Sequence, residues 1–241
     1  MEQQNTTQQF PSEEVTLPSK GLLYPEGHPL RSGIIEMKYM TAKEEDILTN
    51  SNYINNGTVI DKLLKSLIVS PIDFNDLLIG DKNAVLVASR ILGYGQEYSF
   101  MYKNPNTSED EQVTVDLTEA TDKELDESLI IEGRNEFSFT LPISKIQVTF
   151  KFLTHGDELK IANELKGLKK ISKTTSAELT TRMKHLITSV GGDRDTSTIR
   201  QFVDGNFLAR DARALRTYIA ETMPDIDLTF DLQFDDGASA E

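Results

Sequence analysis

The four residues His155-Gly156-Asp157-Glu158 place an imidazole and two carboxylates side by side. Brought to one point, such groups can hold a metal ion and activate a water. The same residues open a helical pattern, where acids complement the helix dipole and cap free amides. His28 and His185 are distant in the chain, and no HExxH pattern is present. Capping is the preferred reading, with a metal-dependent hydrolase as the minor alternative.

Three further groupings invite a chemical reading. Asp193, Asp195, Ser197 and Asp204 follow part of a calcium-loop spacing, but Thr198 stands where the turn needs glycine and Asp204 where a longer glutamate grips the ion. A loop with helix caps fits better, and calcium stabilisation stays a minor alternative. Gly93-Tyr94-Gly95 resembles a fragment of a phosphate loop, yet it follows a helix and not a strand, which makes it a helix stop. Arg200, Arg210, Arg213 and Arg216 are interspersed with Asp211 and Glu221. A solvated face or a partner-facing ion-pair surface is expected there, not nucleic-acid binding. Cysteine is absent, which removes thiolate nucleophiles, disulfides and cysteine metal sites. On chemistry alone the chain reads as a non-catalytic binding or structural protein with no cofactor or metal.

Composition agrees with that reading. Across 241 residues, 25 basic side chains face 39 acidic ones, for a net charge of −14. Phosphate affinity rests on Lys and Arg, so neither nucleic acid nor an anionic membrane is an expected partner. No apolar run approaches the ~20 residues of a spanning helix, and the polar start MEQQNTTQQF does not read as a signal peptide. A cytosolic site of synthesis is the default expectation.

The elements that position these residues follow from periodicity. Residues 1–12 read as a disordered tail. The unit 13–95 opens with a short strand from Glu13 to Leu17 and a loop in which Pro18, Pro25 and Pro29 alternate with Gly21, Gly27 and Gly33. That loop is a strongly shape-fixed surface element. A strand with Ile35, Met37 and Tyr39 on one face leads to a helix opened by a Thr41/Glu44 capping box. An amphipathic helix spans 58–69, a brief helix breaks at Gly80, and a core helix covers 81–92.

In 96–153 the period falls to two. Tyr98, Phe100 and Tyr102 form a hairpin with Val113, Val115 and Leu117 across a long tip, an acidic connector follows, and a second hairpin turns at Pro142-Ile143-Ser144-Lys145. In 154–234 helices return, one running from a Thr175/Glu178 capping box through Leu186, Ile187 and Val190. Alternation from Ile226 to Phe234 predicts a closing strand, and 235–241 a frayed tail. The fold class is α+β, helical N- and C-terminal parts flanking a central β-hairpin region.

Several stretches together resemble the baseplate hub proteins of T-even-type contractile-tailed bacteriophages. They are LPSKGLLYPEGHPL with IEMKYMTAKEEDIL, GTVIDKLLKSLIV, NDLLIGDKNAVLVASRILGYGQEY, LTHGDE, ELTTRMKHLITSVGGDRD, and FLARDARALRTYI with PDIDLTF. They spread from residue 17 to about 230, and the resemblance is densest in Leu17–Leu48. It implies a late phage protein acting in baseplate hub assembly, binding other baseplate and tail hub proteins as a virion component. An assembly chaperone absent from the mature virion is the alternative.

Similar proteins often carry CxxC pairs after the GYG segment and after the final strand. Here those places read KNPNTSEDE and LQFDDGASAE, so no zinc carries over and hairpin pairing alone is expected to hold the first tip. Leu22, Tyr24, Pro25, His28 and Pro29 are the expected docking edge, with Arg210 and Arg213 as a second partner-facing patch.

Overall fold

The computed structural model describes residues 11–171, 177–234 and 236–240. Residues 1–10 of the expected tail and Thr175 of the second capping box lie outside them.

Two strands frame the entry loop. β1 (Ser12–Thr16) pairs antiparallel with β2 (Ile34–Lys38), Val15 opposite Ile35. Between them the chain runs through successive tight turns into a 3-10 turn at Pro29–Ser32, and Leu17 N donates to Gly33 O at 2.8 Å across the neck. Gly21 and Gly33 make that neck possible. Both have positive φ (74° and 70°), and an added Cβ would lie 2.3 Å from Arg31 O or 2.7 Å from Lys20 O. Ile35 and Met37 are fully buried, but the strand ends before Tyr39, which points outward and donates to Glu13 Oε1 at 2.9 Å.

Short helices α1 (Ala42–Leu48) and α2 (Ser51–Asn55) lead to α3 (Val59–Leu67), which buries Leu63, Leu64 and Leu67. The long helix α4 (Ile79–Tyr94) begins before Gly80. Gly80 therefore sits in its first turn and does not break it. The absence of a side chain there serves close approach: a Cβ would lie 1.8 Å from Pro224 O. Gly95 closes the helix with φ +83°, its N–H donating to Ile91 O at 2.9 Å.

β3 (Glu97–Lys103) and β4 (Asp110–Asp116) form the first hairpin. The acidic stretch beyond it is mostly exposed yet contributes β5 (Thr121–Asp122). β6 (Phe137–Thr140) and β7 (Gln147–Phe150) form the second hairpin, followed by α5 (His155–Ile171) and α6 (Glu178–Leu186).

Here the predicted helix stops early. Ile187–Val190 is a strand, β8, on the open edge of β7. Three of its four residues are β-branched, and Thr149 Oγ1 bonds the hydroxyls of Thr188 and Ser189 at 2.7 and 2.6 Å, so sheet pairing outweighs the helical stripe.

α7 (Thr196–Gln201) and a wider turn at Phe202–Asn206 precede α8 (Ala209–Thr222). The expected closing strand is divided. β9 (Ile226–Asp227) pairs with β5, and β10 (Leu232–Gln233) pairs with β11 (Ser239–Ala240), inside the segment expected to fray. The β9 and β10 partners lie in different places, so the one run of alternation serves two sheets.

The architecture is α+β. One core joins the N- and C-terminal helical parts, among them Leu30, Met37, Leu64, Val85, Phe150, Phe152 and Leu215. A separate small core holds Val113 and Val115 against Leu232, Phe234 and Ala238. The first hairpin's tip is thus held by more than its own pairing. Asn106 Nδ2 donates to Asp236 Oδ2 at 3.2 Å, and Tyr102 packs on Phe234 with ring centroids 6.2 Å apart.

Candidate docking surface

The entry loop is pinned from beneath by a buried acid. Asp81 is the third residue of α4 and fully buried; it accepts from Ser19 N at 2.9 Å, Ser19 Oγ at 2.8 Å and Tyr24 Oη at 2.7 Å. Burial pushes its carboxyl up, against these three hydrogen bonds, each of which favours the ionised form. The Tyr24 phenol is likewise pushed up by burial and by the charge of Asp81, and stays protonated as a donor. Its oxygen also accepts from Leu78 N at 3.0 Å, which ties the loop to the entrance of α4.

The loop's flank is held by the acidic segment. Arg31 donates to Glu132 at 2.6 Å and to Leu22 O at 2.8 Å, Gly133 N donates to Leu22 O at 2.8 Å, and Lys20 pairs with Glu127 at 2.7 Å. His28 stacks on Tyr24 with centroids 5.2 Å apart; its Nδ1 accepts from Leu30 N and its Nε2 lies 3.2 Å from Asp76 Oδ2.

The expected docking residues thus divide. Pro25 and Pro29 are exposed, Leu22 and His28 half-buried, and Tyr24 buried with its hydroxyl committed internally.

Arg210 and Arg213 belong to a second surface, between α8 and the β6–β7 turn. Asp211, fully buried at the third position of α8, accepts from Ile143 N at 2.7 Å and Ser144 N at 3.0 Å. Burial opposes its charge, but those backbone amides outweigh it and hold the carboxyl low. The hairpin turn is thereby clamped against the helix. A groove of about 520 Å³ results, with Phe139, Ile143 and Tyr218 on its walls and Arg210 and Arg213 on its rim. Both arginines are exposed, and neither has a hydrogen bond or ion pair among the described residues. Arg200 and Arg216 are used elsewhere, Arg200 on Glu164 at 3.3 Å and Arg216 on Ala212 O at 3.3 Å.

The groupings with possible metal chemistry are taken apart by the fold. His155 is buried against Phe74, and its Nδ1 lies 3.1 Å from Lys82 Nζ; burial and that ammonium push its proton affinity down. Asp157 is clamped by Lys151 at 2.6 Å and caps α5 with Thr154. Burial opposes its charge, but Lys151 outweighs it and the carboxyl is held low. Glu158 forms a forked pair with Arg182. Asp193 accepts from Asp195 N and Thr198 Oγ1, Asp195 caps α7 through Ser197 N, and Asp204 pairs with Lys184 at 2.7 Å. Among the described residues no group of three His, Asp or Glu side chains is placed to hold a metal ion. No described helix is long and apolar enough to cross a membrane.

The sequence readily exposes the Pro/Gly loop but not its support. Asp81 and Asp211 each look like a first-turn acid at a helix start, and their partners lie more than fifty residues away.

Compared with known families, the chain matches the model of the T4 bacteriophage base plate protein family over residues 12–237, and so belongs to that family. No curated protein and no solved structure matches it.

Proposed function

We propose that this T4-type baseplate protein is a non-catalytic interaction subunit of the baseplate hub, carried in the virion and bound to other tail proteins. The observation that carries this reading is the pinning of the entry loop. Three donors on Asp81 fix the loop's inner side, while Pro25 and Pro29 face outward on a backbone that cannot easily relax. A preorganised edge of this kind loses little conformational entropy on binding. Leu22 and His28 flank it, and Tyr24 acts from below as a positioning residue.

Arg210 and Arg213 form the second proposed contact. Arginines with no partner among the described residues, beside an apolar groove, suit a partner segment that offers carboxylates, since Arg is enriched at the centres of protein interfaces. Neither nucleic acid nor membrane is part of this reading. The net charge of −14 also suits a transient assembly chaperone, which acts in the host cytoplasm and leaves before the virion is complete.

Affinity capture of the tagged chain from infected cells tests the reading. Wild-type chain should retain other baseplate proteins. Pro25→Ala, and a paired Arg210→Ala and Arg213→Ala variant, should each lose partners while remaining folded. Equal recovery of the same partners by all three chains would refute both contact surfaces.

A further inference from the structure

The β3–β4 hairpin is a two-stranded sheet, so β3 has one edge with no strand beside it among the described residues. The phase of the ladder identifies which groups face that edge. Leu117 N donates to Gln96 O and Asn104 N to Glu109 O, both at 2.9 Å, in the register that sets Tyr98 opposite Val115 and Phe100 opposite Val113. Hydrogen-bonded pairs alternate in an antiparallel ladder, so the even-numbered residues of β3 bond β4. The main-chain groups of Glu97, Ser99, Met101 and Lys103 therefore point away from the hairpin.

Six of the seven residues of β3 are exposed, Met101 at 61%. The strand contains neither a proline nor a bulge, two of the devices that blunt such an edge, and its charges, Glu97 and Lys103, stand only at its two ends. At one end the Glu97 carbonyl accepts from Arg90 Nη2 at 3.1 Å, which leaves its N–H outward.

The sequence of the strand, Glu-Tyr-Ser-Phe-Met-Tyr-Lys, is complementary to itself when reversed. Centred on Phe100, an antiparallel pairing of two β3 strands sets Glu97 opposite the second copy's Lys103 at both ends and Tyr98 opposite its Tyr102. The outward-facing residues then meet one another, Ser99 with Met101 and Glu97 with Lys103, as the hydrogen-bonding phase requires. Opposite charges and aromatic pairs directly across a ladder are both favourable. This two-fold register also uses the full length of the strand.

We propose that β3 is a self-association edge, through which two copies of this chain join their hairpins into one four-stranded antiparallel sheet with the two-fold axis at Phe100.

Sedimentation velocity on the full chain over a concentration series tests this. The mass should rise from that of one 27.0 kDa chain to twice that value. Met101→Pro removes an outward N–H and no hydrogen bond to β4, so it should hold the chain monomeric with its circular dichroism unchanged. Glu97→Lys and Lys103→Glu each set like charges opposite one another at both ends, and each should weaken association roughly tenfold. Mixing those two variants restores opposite charges and should restore the dimer, a result that stands even where the proline variant misfolds. A single-chain mass at every concentration, a dimer indifferent to Met101→Pro in a folded chain, or charge variants that fail to complement on mixing would each overturn the proposal. In the first case the edge would be left to a strand of another protein.

Discussion

Tyr24 and Asp81, 57 residues apart in sequence, meet at 2.7 Å in the interior, where the phenol donates to a carboxylate that also binds both donors of Ser19. That contact makes the shape of an outer loop depend on the first turn of a core helix.

Removing only the hydroxyl should therefore be costly. Tyr24→Phe keeps the ring but leaves Leu78 N without its partner and takes one of two donors from Asp81 Oδ2, which keeps Ser19 Oγ, a loss of about 1–3 kcal/mol. Tyr24→Ala adds a cavity and should cost about 3–5 kcal/mol. Pro25→Ala, at an exposed position, should stay within about 0.5 kcal/mol of wild type. Urea unfolding midpoints compare the three, and substitution at Tyr24 is expected to reach folding before it reaches assembly.

Glu44 supplies a pH dependence. It is fully buried, so desolvation opposes its charge, but Lys38 Nζ (2.8 Å), Ser66 Oγ (2.6 Å) and Thr41 N and Oγ1 (3.0 and 2.6 Å) outweigh that and hold its pKa at about 2. A carboxyl depressed in the folded state stabilises it above the unfolded-state value, about 4.5, and that stabilisation is lost as pH falls toward 2. The melting temperature of wild type should exceed that of Glu44→Gln at pH 7, and the gap should narrow progressively below pH 4.5. A gap independent of pH would contradict the assignment.

Gly80 is held by space, not by backbone conformation. Gly80→Ala forces a methyl into the Pro224 carbonyl and should cost about 2 kcal/mol or more, separating the start of α4 from the segment after α8. Gly167, with open space around it inside α5, is the control: alanine there should stabilise by roughly 0.5–1 kcal/mol. Thermal melts of both variants read the contrast.

At the second surface, stability and binding should separate. Asp211→Ala leaves the Ile143 and Ser144 amides unclamped and should cost about 1–3 kcal/mol. Arg213→Ala touches no described partner and should leave the unfolding midpoint unchanged while reducing capture of baseplate proteins.

The elements with local signals were the legible ones. The Thr41/Glu44 box, the Leu63–Leu67 face and both hairpins follow from spacing within a few residues. Ile187–Val190 was not legible as a strand, because Leu186, Ile187 and Val190 continue a helical stripe and only the distant edge of β7 decides otherwise. The run from Ile226 to Phe234 shows the alternation of one strand but not its division between two partners. Support for the entry loop was hidden for the same reason. Nothing local distinguishes Asp81 from an ordinary first-turn acid, and the grouping of His155, Asp157 and Glu158 is undone by Lys82 of α4, Lys151 of the link between β7 and α5, and Arg182 of α6.

The central claim is that this chain is a bound part of the baseplate. Quantitative mass spectrometry of gradient-purified, DNA-filled particles tests it most directly. The account predicts peptides from this chain in fixed proportion to the other baseplate proteins. Their absence from particles, with the chain abundant in the infected-cell lysate, would contradict it and leave the assembly chaperone.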